Sequence, residues 1–384
     1  MAATFRTEVL KSRLSLFHVR KLARKVSQLS RINSLEAVYK IIDSIAVYSI
    51  SCSTRTMATK ERIPACRIRT RCLIISDTHG MQLPVDIHTP VDVAIHCGDL
   101  TQHSRLDEFQ SAIELIEKLN APLKIVIAGN HDFSLDIPVF KQKILEANRL
   151  SLEPLDNVTI RKEYGDYGTA RQMLQESRKK GIIFVDEGSH RFSLQNGALL
   201  RIYASPYTPS TASSSGWGFQ YSGIHNFEIE NGIDIVVTHG PPQGIMDLSA
   251  ERKRIGCPQL FAAVAKAQPR IHCFGHAHDG WGAKMVAWRP QISDMPSHFT
   301  DIDNDKSYVI ENMISLNGSK FESAEEMKAR EDRMNGCKER GYCEQEWTDY
   351  NTLGMTLFVN AAVSGNNGSN QLPWVVDIEL PLNS

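Results

Sequence analysis

Asp77-Thr78-His79, Gly98-Asp99, Gly129-Asn130-His131-Asp132, Thr238-His239-Gly240 and Gly275-His276-Ala277-His278 follow one another along the chain. Each sets a carboxylate, amide or imidazole just after a short apolar run, and no thiolate is among them. Asp77, His79 and His278 are assigned to one ion and Asn130, His239 and His276 to a second, with Asp99 shared. Such ligands suit Mn, Fe, Zn or Ni better than Mg or Ca alone. Two divalent or trivalent ions about 3.5–4 Å apart can hold a bridging hydroxide at neutral pH and polarise a phosphoryl oxygen. His131, beside the ligand Asn130, is the candidate general acid for the leaving oxygen. Asp132 is read either as the group that orients His131 or as a solvated loop carboxylate.

These motifs need a scaffold that ends several strands at one place. Cys72–Ser76, Val91–His96, Leu123–Ala128, Ile233–Val237 and Arg270–Phe274 are short apolar runs, each ending at a motif. Runs of this kind read as buried strands of a largely parallel sheet. Ligands in open α/β sheets gather outside the carboxyl ends of strands, where all five motifs fall. Any one motif alone has an ordinary explanation, such as a turn or a helix cap. Their joint occurrence in this order is what favours a dimetal site.

In that order the motifs resemble the calcineurin-like metallophosphoesterases: Asp-x-His, Gly-Asp, Gly-Asn-His-Asp/Glu, a lone His, then Gly-His-x-His. The similarity extends to the metallophosphoesterase-domain-containing branch through Trp217-Gly218-Phe219, Thr238-His239-Gly240-Pro241-Pro242 and Arg254-Ile255-Gly256-Cys257. It continues in Gln268-Pro269-Arg270-Ile271-His272 and Phe358-Val359-Asn360-Ala361. It spans roughly Arg69 to Leu380. The resemblance implies a four-layer α/β/β/α sandwich of two mixed sheets. It also implies a phosphodiesterase acting on aryl or cyclic-nucleotide diesters, with a complete site because His276 and His278 are both kept.

Composition sets bounds on the alternatives. With 384 residues and 42% hydrophobic side chains the chain can bury one large two-sheet domain plus tails. A formal net charge of −1 provides no field to recruit a nucleic-acid polymer or an anionic membrane. No apolar run approaches the ~20 residues a bilayer span requires. Eight cysteines without CxxC pairs favour a reducing, intracellular compartment, the cytoplasm first. Cys337 and Cys343 flank a charged segment and are read as a pair, a metal site or two free thiols. His96 and His272 sit inside apolar runs and are expected to be core residues.

Residues 1–68 form a basic extension, with Arg6, Lys11, Arg13, Arg20, Lys21, Arg24, Lys25 and Arg31 against Glu8 alone among the first 33 residues. Two readings stay open: a mitochondrial transit peptide, or a natural start at Met57. The catalytic domain is expected over 69–384, with a charged insertion at about 294–350. Helices are expected over Arg105–Asn120, Pro138–Leu150 and Pro258–Ala267, with a hairpin at Asn196-Gly197. The aromatic-bearing loop Ser205–Gly223 is read as a substrate-facing lid or as a pinned surface loop. Candidate substrate contacts are His103, Arg105, Trp217, Phe219, Arg254 and Asp279.

The expected activity is hydrolysis of a small-molecule phosphoester, diesters ranked first because no Arg or Lys cluster near the motifs forms a clamp for a dianion. Competing readings are a phosphomonoesterase or protein phosphatase, a dimetal enzyme acting on a non-phosphate substrate in specialised metabolism, and a catalytically weak scaffold. The sequence leaves oligomeric state open.

Overall fold

A computed structural model describes residues 67–83, 87–151, 156–210, 216–318, 322–346, 354–365 and 371–383. The basic extension therefore lies outside the described residues, apart from Arg67 and Ile68. The elements in chain order are β1 (Arg67–Ile75), β2 (Val93–His96), α1 (Leu106–Lys118), β3 (Leu123–Val126), α2 (Ile137–Leu150), α3 (Asn157–Tyr164) and α4 (Thr169–Glu176). They continue with β4 (Ile182–Phe184), β5 (Gly188–Ser193), β6 (Leu199–Ser205), β7 (Thr208–Pro209), β8 (Gln220–Tyr221), β9 (Ile235–Thr238), α5 (Pro258–Ala267) and β10 (Ile271–Phe274). The last are β11 (Gly282–Trp288), β12 (Ile302–Asn312), α6 (Met313–Asn317), α7 (Ala324–Arg340), β13 (Cys343–Glu346), β14 (Met355–Asn360) and β15 (Trp374–Pro381).

One sheet has six strands in the order β13-β15-β1-β2-β3-β4, and a second has seven in the order β12-β11-β14-β10-β9-β6-β5. Both are mixed: β1, β2, β3 and β4 run parallel while β15 is antiparallel to β1. In the second sheet β6, β9, β10 and β14 are parallel and β5, β11 and β12 are antiparallel to their neighbours.

Alternation along each strand explains the layers. Cys72, Ile74, Val93, Ile95 and Ile125 of the first sheet meet Ile235, Val237, Cys273, Leu357 and Val359 of the second in a shared core. Their neighbours in sequence face outward: Ile75 and Val126 pack under Phe109, Ile113 and Ile116 of α1 and Leu174 of α4. On the far side Val236, Phe274 and Phe358 pack under Leu260, Phe261 and Val264 of α5. Strands covered on both faces need apolar residues at nearly every position, hence the unbroken runs in the sequence. Each such side chain contributes about 1.5–3 kcal/mol on burial. The result is the expected four-layer α/β/β/α sandwich of two mixed sheets.

Helices expected at Arg105–Asn120, Pro138–Leu150 and Pro258–Ala267 appear as α1, α2 and α5. The hairpin turns at Asn196-Gly197 between β5 and β6. The charged stretch 294–350 supplies a strand to each sheet: β12 forms the edge of the seven-stranded sheet and β13 that of the six-stranded one. Its helix α7 buries no side chain, as a polar run should. Among the described residues no helix is long and apolar enough to cross a membrane.

His272 and His96 are buried, as expected for core residues. Thr238 Oγ1 donates to the Gly240 carbonyl and lies 2.8 Å from His272 Nε2, which must then be the N–H. Burial depresses this imidazole to about 3. The unfolded chain takes up that proton near pH 6.5, so stability is full above this pH and is lost as pH falls toward 3. Urea midpoints between pH 7 and pH 4 should fall less steeply in His272→Phe than in wild type. An unchanged slope would assign the acid sensitivity elsewhere.

Candidate metal centre

The parallel strands β1, β2 and β3 end side by side, and so do β9 and β10 of the facing sheet, with the five motifs just beyond these carboxyl ends. Backbone strain concentrates here. Asp77 (φ 55°), His79 (φ 49°), Asp99 (φ 54°) and His276 (φ 65°) all occupy the left-handed region. Residues held there cost about 1–3 kcal/mol each and cluster at functional sites.

Glycines make the close approach possible. A Cβ at Gly275 would run into the Asp77 carboxylate and the Ser76 side chain. The His276 N–H instead reaches both oxygens of Asp77 at 3.0 Å, coupling the loops that follow β1 and β10. Gly275→Ala should abolish high-affinity metal uptake in calorimetry while leaving the far-UV circular dichroism unchanged. Uptake at wild-type affinity would contradict this packing.

Three groups of side chains bring ligating atoms within 4.8 Å of one another: Asp77 with His79 and His278, His79 with Asp99 and His131, and Asp99 with His239 and His276. Asn130 joins the last, its Oδ1 lying 2.8 Å from His239 Nε2. Asp99 stands between the halves, with Oδ1 3.4 Å from His239 Nε2 and Oδ2 3.9 Å from His79 Nε2.

Tautomers follow from the carbonyls behind each ring. His79 Nδ1 lies 3.1 Å from the Thr101 carbonyl and His239 Nδ1 2.9 Å from that of Cys97. A carbonyl only accepts, so each Nδ1 is the N–H and each Nε2 offers a lone pair. The His79 lone pair faces His278 Nε2 at 3.4 Å, and that of His239 faces the Asn130 and Asp99 oxygens. At His239 the lone pair and both oxygens are acceptors, which repel unless a cation or a proton lies among them. Two metal ions fit this ligand set.

Electrostatics reflect the same convergence. Burial would raise Asp77, but the His278 hydrogen bond and charge hold it below the usual carboxylate range. Burial opposes ionisation of Asp99 too and is outweighed by His239, His131 and His79. The His239 imidazole, depressed by burial, is lifted by Asp99 to about 9, whereas burial pushes His276 down to about 3.

His131 lies against the cluster, its N–H donating to Asp99 Oδ1 at 2.8 Å and its Nδ1 2.8 Å from the Gln102 carbonyl. Asp132 corrects the expectation that it orients His131 or lies solvated in its loop. It is fully buried and accepts from the N–H groups of Leu100, Thr101 and Gly129 and from the Thr101 hydroxyl, at 2.7–3.1 Å. It ties the Asp99 loop to the Asn130 loop, and the Gln102 carbonyl orients the imidazole instead.

The candidate substrate contacts divide. His103 is exposed, with its N–H donating to Glu108. Arg105 is committed to Glu163 at 2.7 Å and Asp107 at 3.3 Å, and Arg254 to the buried Asp247 at 2.6 Å. Asp279 directly follows His278 and is partly buried. Phe219 is buried in the core beneath α1, which corrects its assignment to a substrate-facing surface. Trp217 lies on the His131 ring, centroids 4.2 Å apart.

Supporting residues went unread in the sequence. Asn360 Nδ2 donates to the Ala277 carbonyl at 2.8 Å, Ser364 Oγ to that of Asp77 at 2.7 Å, and Gln371 Nε2 to that of His278 at 3.1 Å. Asn360 had stood in a motif without a role. The carbonyls of Cys97, Thr101 and Gln102 have no side-chain signature at all.

The family model described as calcineurin-like phosphoesterase matches residues 70–280. Metallophosphoesterase domain-containing protein 1 of Homo sapiens is 31% identical over 56% of this chain and 62% of its own. A UPF0046 protein of Caenorhabditis elegans is 30% identical over 64% of each chain. A probable rhamnogalacturonate lyase C of Emericella nidulans is 30% identical over 57% of this chain and 18% of its own. The chain thus spans less than two thirds of the length of each of these relatives. A purple acid phosphatase from yellow lupin seeds overlaps 82% of this chain and 54% of its own, with 11% identity and a TM-score of 0.33.

Proposed function

The chain belongs to the calcineurin-like phosphoesterase family, and from that premise we propose that it is a dimetal phosphodiesterase of small molecules. One observation carries the proposal: the lone pairs of His79 and His239 converge with Asp77, Asn130 and His278 on either side of Asp99. When bound, two ions would supply Lewis acidity toward a phosphoryl oxygen and an activated water at neutral pH. Mn, Fe, Zn and Ni all suit the ligands.

The chain's own residues do the rest. Asp77, His79 and His278 bind on one side, Asn130, His239 and His276 on the other, and Asp99 is shared. His131 Nδ1 faces the Gln102 carbonyl and must be an N–H, so the ring serves as acid from its imidazolium form, giving the Nε2 proton to the leaving oxygen and keeping the one on Nδ1. Arg105 and Arg254 are engaged by carboxylates, which leaves the second negative charge of a monoester without a guanidinium fork from either. That favours diesters, which carry one charge.

The test is a panel of aryl phosphodiesters and matched monoesters assayed with metal-free protein and with each metal restored. Metal-dependent turnover with diesters ahead is expected. Faster monoester turnover would overturn the substrate class, and no turnover with any metal would overturn the enzymatic reading.

A further inference from the structure

We propose that Trp217 is a positioning residue for the proton donor, holding the His131 imidazole so that Nε2 meets the leaving oxygen; this rests on the phosphoesterase reading above. The two rings lie 4.2 Å apart between centroids and are tilted by 35°. His131 also packs T-shaped with His79, centroids 4.8 Å apart and planes at 82°. The Gln102 carbonyl fixes Nδ1. The imidazole is thus held by the Gln102 carbonyl at Nδ1, by T-shaped packing with His79 and by the indole of Trp217. Only the last could be removed without touching a metal ligand or the backbone.

The indole is itself held. Lys143 Nζ stands 5.0 Å from its ring and 4.6 Å from that of Phe133, a cation–π arrangement that braces the tryptophan from α2. The next residue docks its backbone on the ligand loop: the Gly218 N–H donates to the Asn130 carbonyl at 2.9 Å. A Cβ at Gly218 would come within 2.8 Å of Phe133 Cα, so only glycine allows this approach. Beyond it the Phe219 N–H donates to Asp136 at 2.9 Å, and the Phe219 carbonyl accepts from the Thr208 N–H at 2.9 Å. The segment 217–219 is therefore fixed to the loop that carries both Asn130 and His131. Within it, Trp217 is the side chain that lies against the His131 imidazole.

An imidazole packed against an indole and anchored at Nδ1 is restrained from swinging, and small misplacements of a reacting group are costly. In Trp217→Leu, kcat for diesters with poor leaving groups should fall about 10²-fold. For p-nitrophenyl leaving groups, which need little protonation, it should fall less than about threefold, with KM unchanged. Trp217→Phe, which keeps an aromatic face, should recover most of the loss. In a His131→Ala background Trp217→Leu should cost nothing further, as for two residues acting through one step.

A second readout needs no metal and no substrate. In metal-free wild type the His131 Cε1–H resonance should be shifted upfield by the indole ring current, and Trp217→Leu should abolish that shift. If wild type turns over no phosphoester, the functional reading falls and this inference with it. With wild type active, equal losses across leaving groups, a full further loss in the His131→Ala background, or an unmoved His131 resonance would each overturn the positioning role alone.

Discussion

Asp99→Ala should retain less than about one per cent of wild-type turnover, a loss of at least about 2.7 kcal/mol of barrier lowering. The expectation follows from position. Asp99 Oδ1 lies 3.4 Å from His239 and accepts the His131 N–H at 2.8 Å, while Oδ2 faces His79 at 3.9 Å. The one carboxylate stands between both halves of the candidate ligand set and ties down the loop that carries His131. Asp99→Asn separates these roles, because the amide keeps the shape and one acceptor but loses the charge. It should restore the loop contact and very little activity. Initial rates with saturating Mn or Fe and a chromogenic diester provide the measurement. A variant that kept most of its turnover would remove Asp99 from the centre.

His131→Ala should produce a loss that depends on the leaving group. General acids typically contribute 10²–10⁴-fold, and the contribution grows as the leaving alkoxide becomes more basic. Alkyl diesters should therefore lose on the order of 10³-fold and nitrophenyl diesters far less. Metal affinity should stay within a few-fold of wild type if His131 acts outside the ligand set, although its ring shares a group with His79 and Asp99. Equal losses for all leaving groups would deny His131 the acid role. A large loss of metal would make it a ligand.

Most of this site was legible in the sequence because its side chains are of rare types placed directly after strands. Asp77, Asp99, Asn130, His239 and His276 each follow an apolar run, and a chain buried on both faces of a sheet leaves that pattern in any sequence. Helices with an apolar face, such as α1 and α5, were legible for the same reason. The helices α3 and α4 were not. Among its described residues α3 buries none, and α4, with Ala170 and Leu174 buried, has only 8 residues, too few turns for its apolar period to stand out in the sequence.

Asp132 went wrong for a different reason. A carboxylate beside a histidine suggests a pair, yet backbone N–H groups of three residues compete for it and win. The carbonyls that fix His79, His131 and His239 belong to Thr101, Gln102 and Cys97, whose side chains announce nothing. Backbone partners of that kind become visible only once the loops are folded. The role of Trp217 belongs to the same class. Its sequence neighbourhood marked an aromatic loop, but only the fold lays that loop on His131.

The most direct test is anomalous-difference crystallography of the protein reconstituted with Mn or Zn. Two peaks are expected, one among Asp77, His79 and His278 and one among Asn130, His239 and His276, with the Asp99 carboxylate reaching both. A single peak, or peaks away from these side chains, would contradict the dimetal centre.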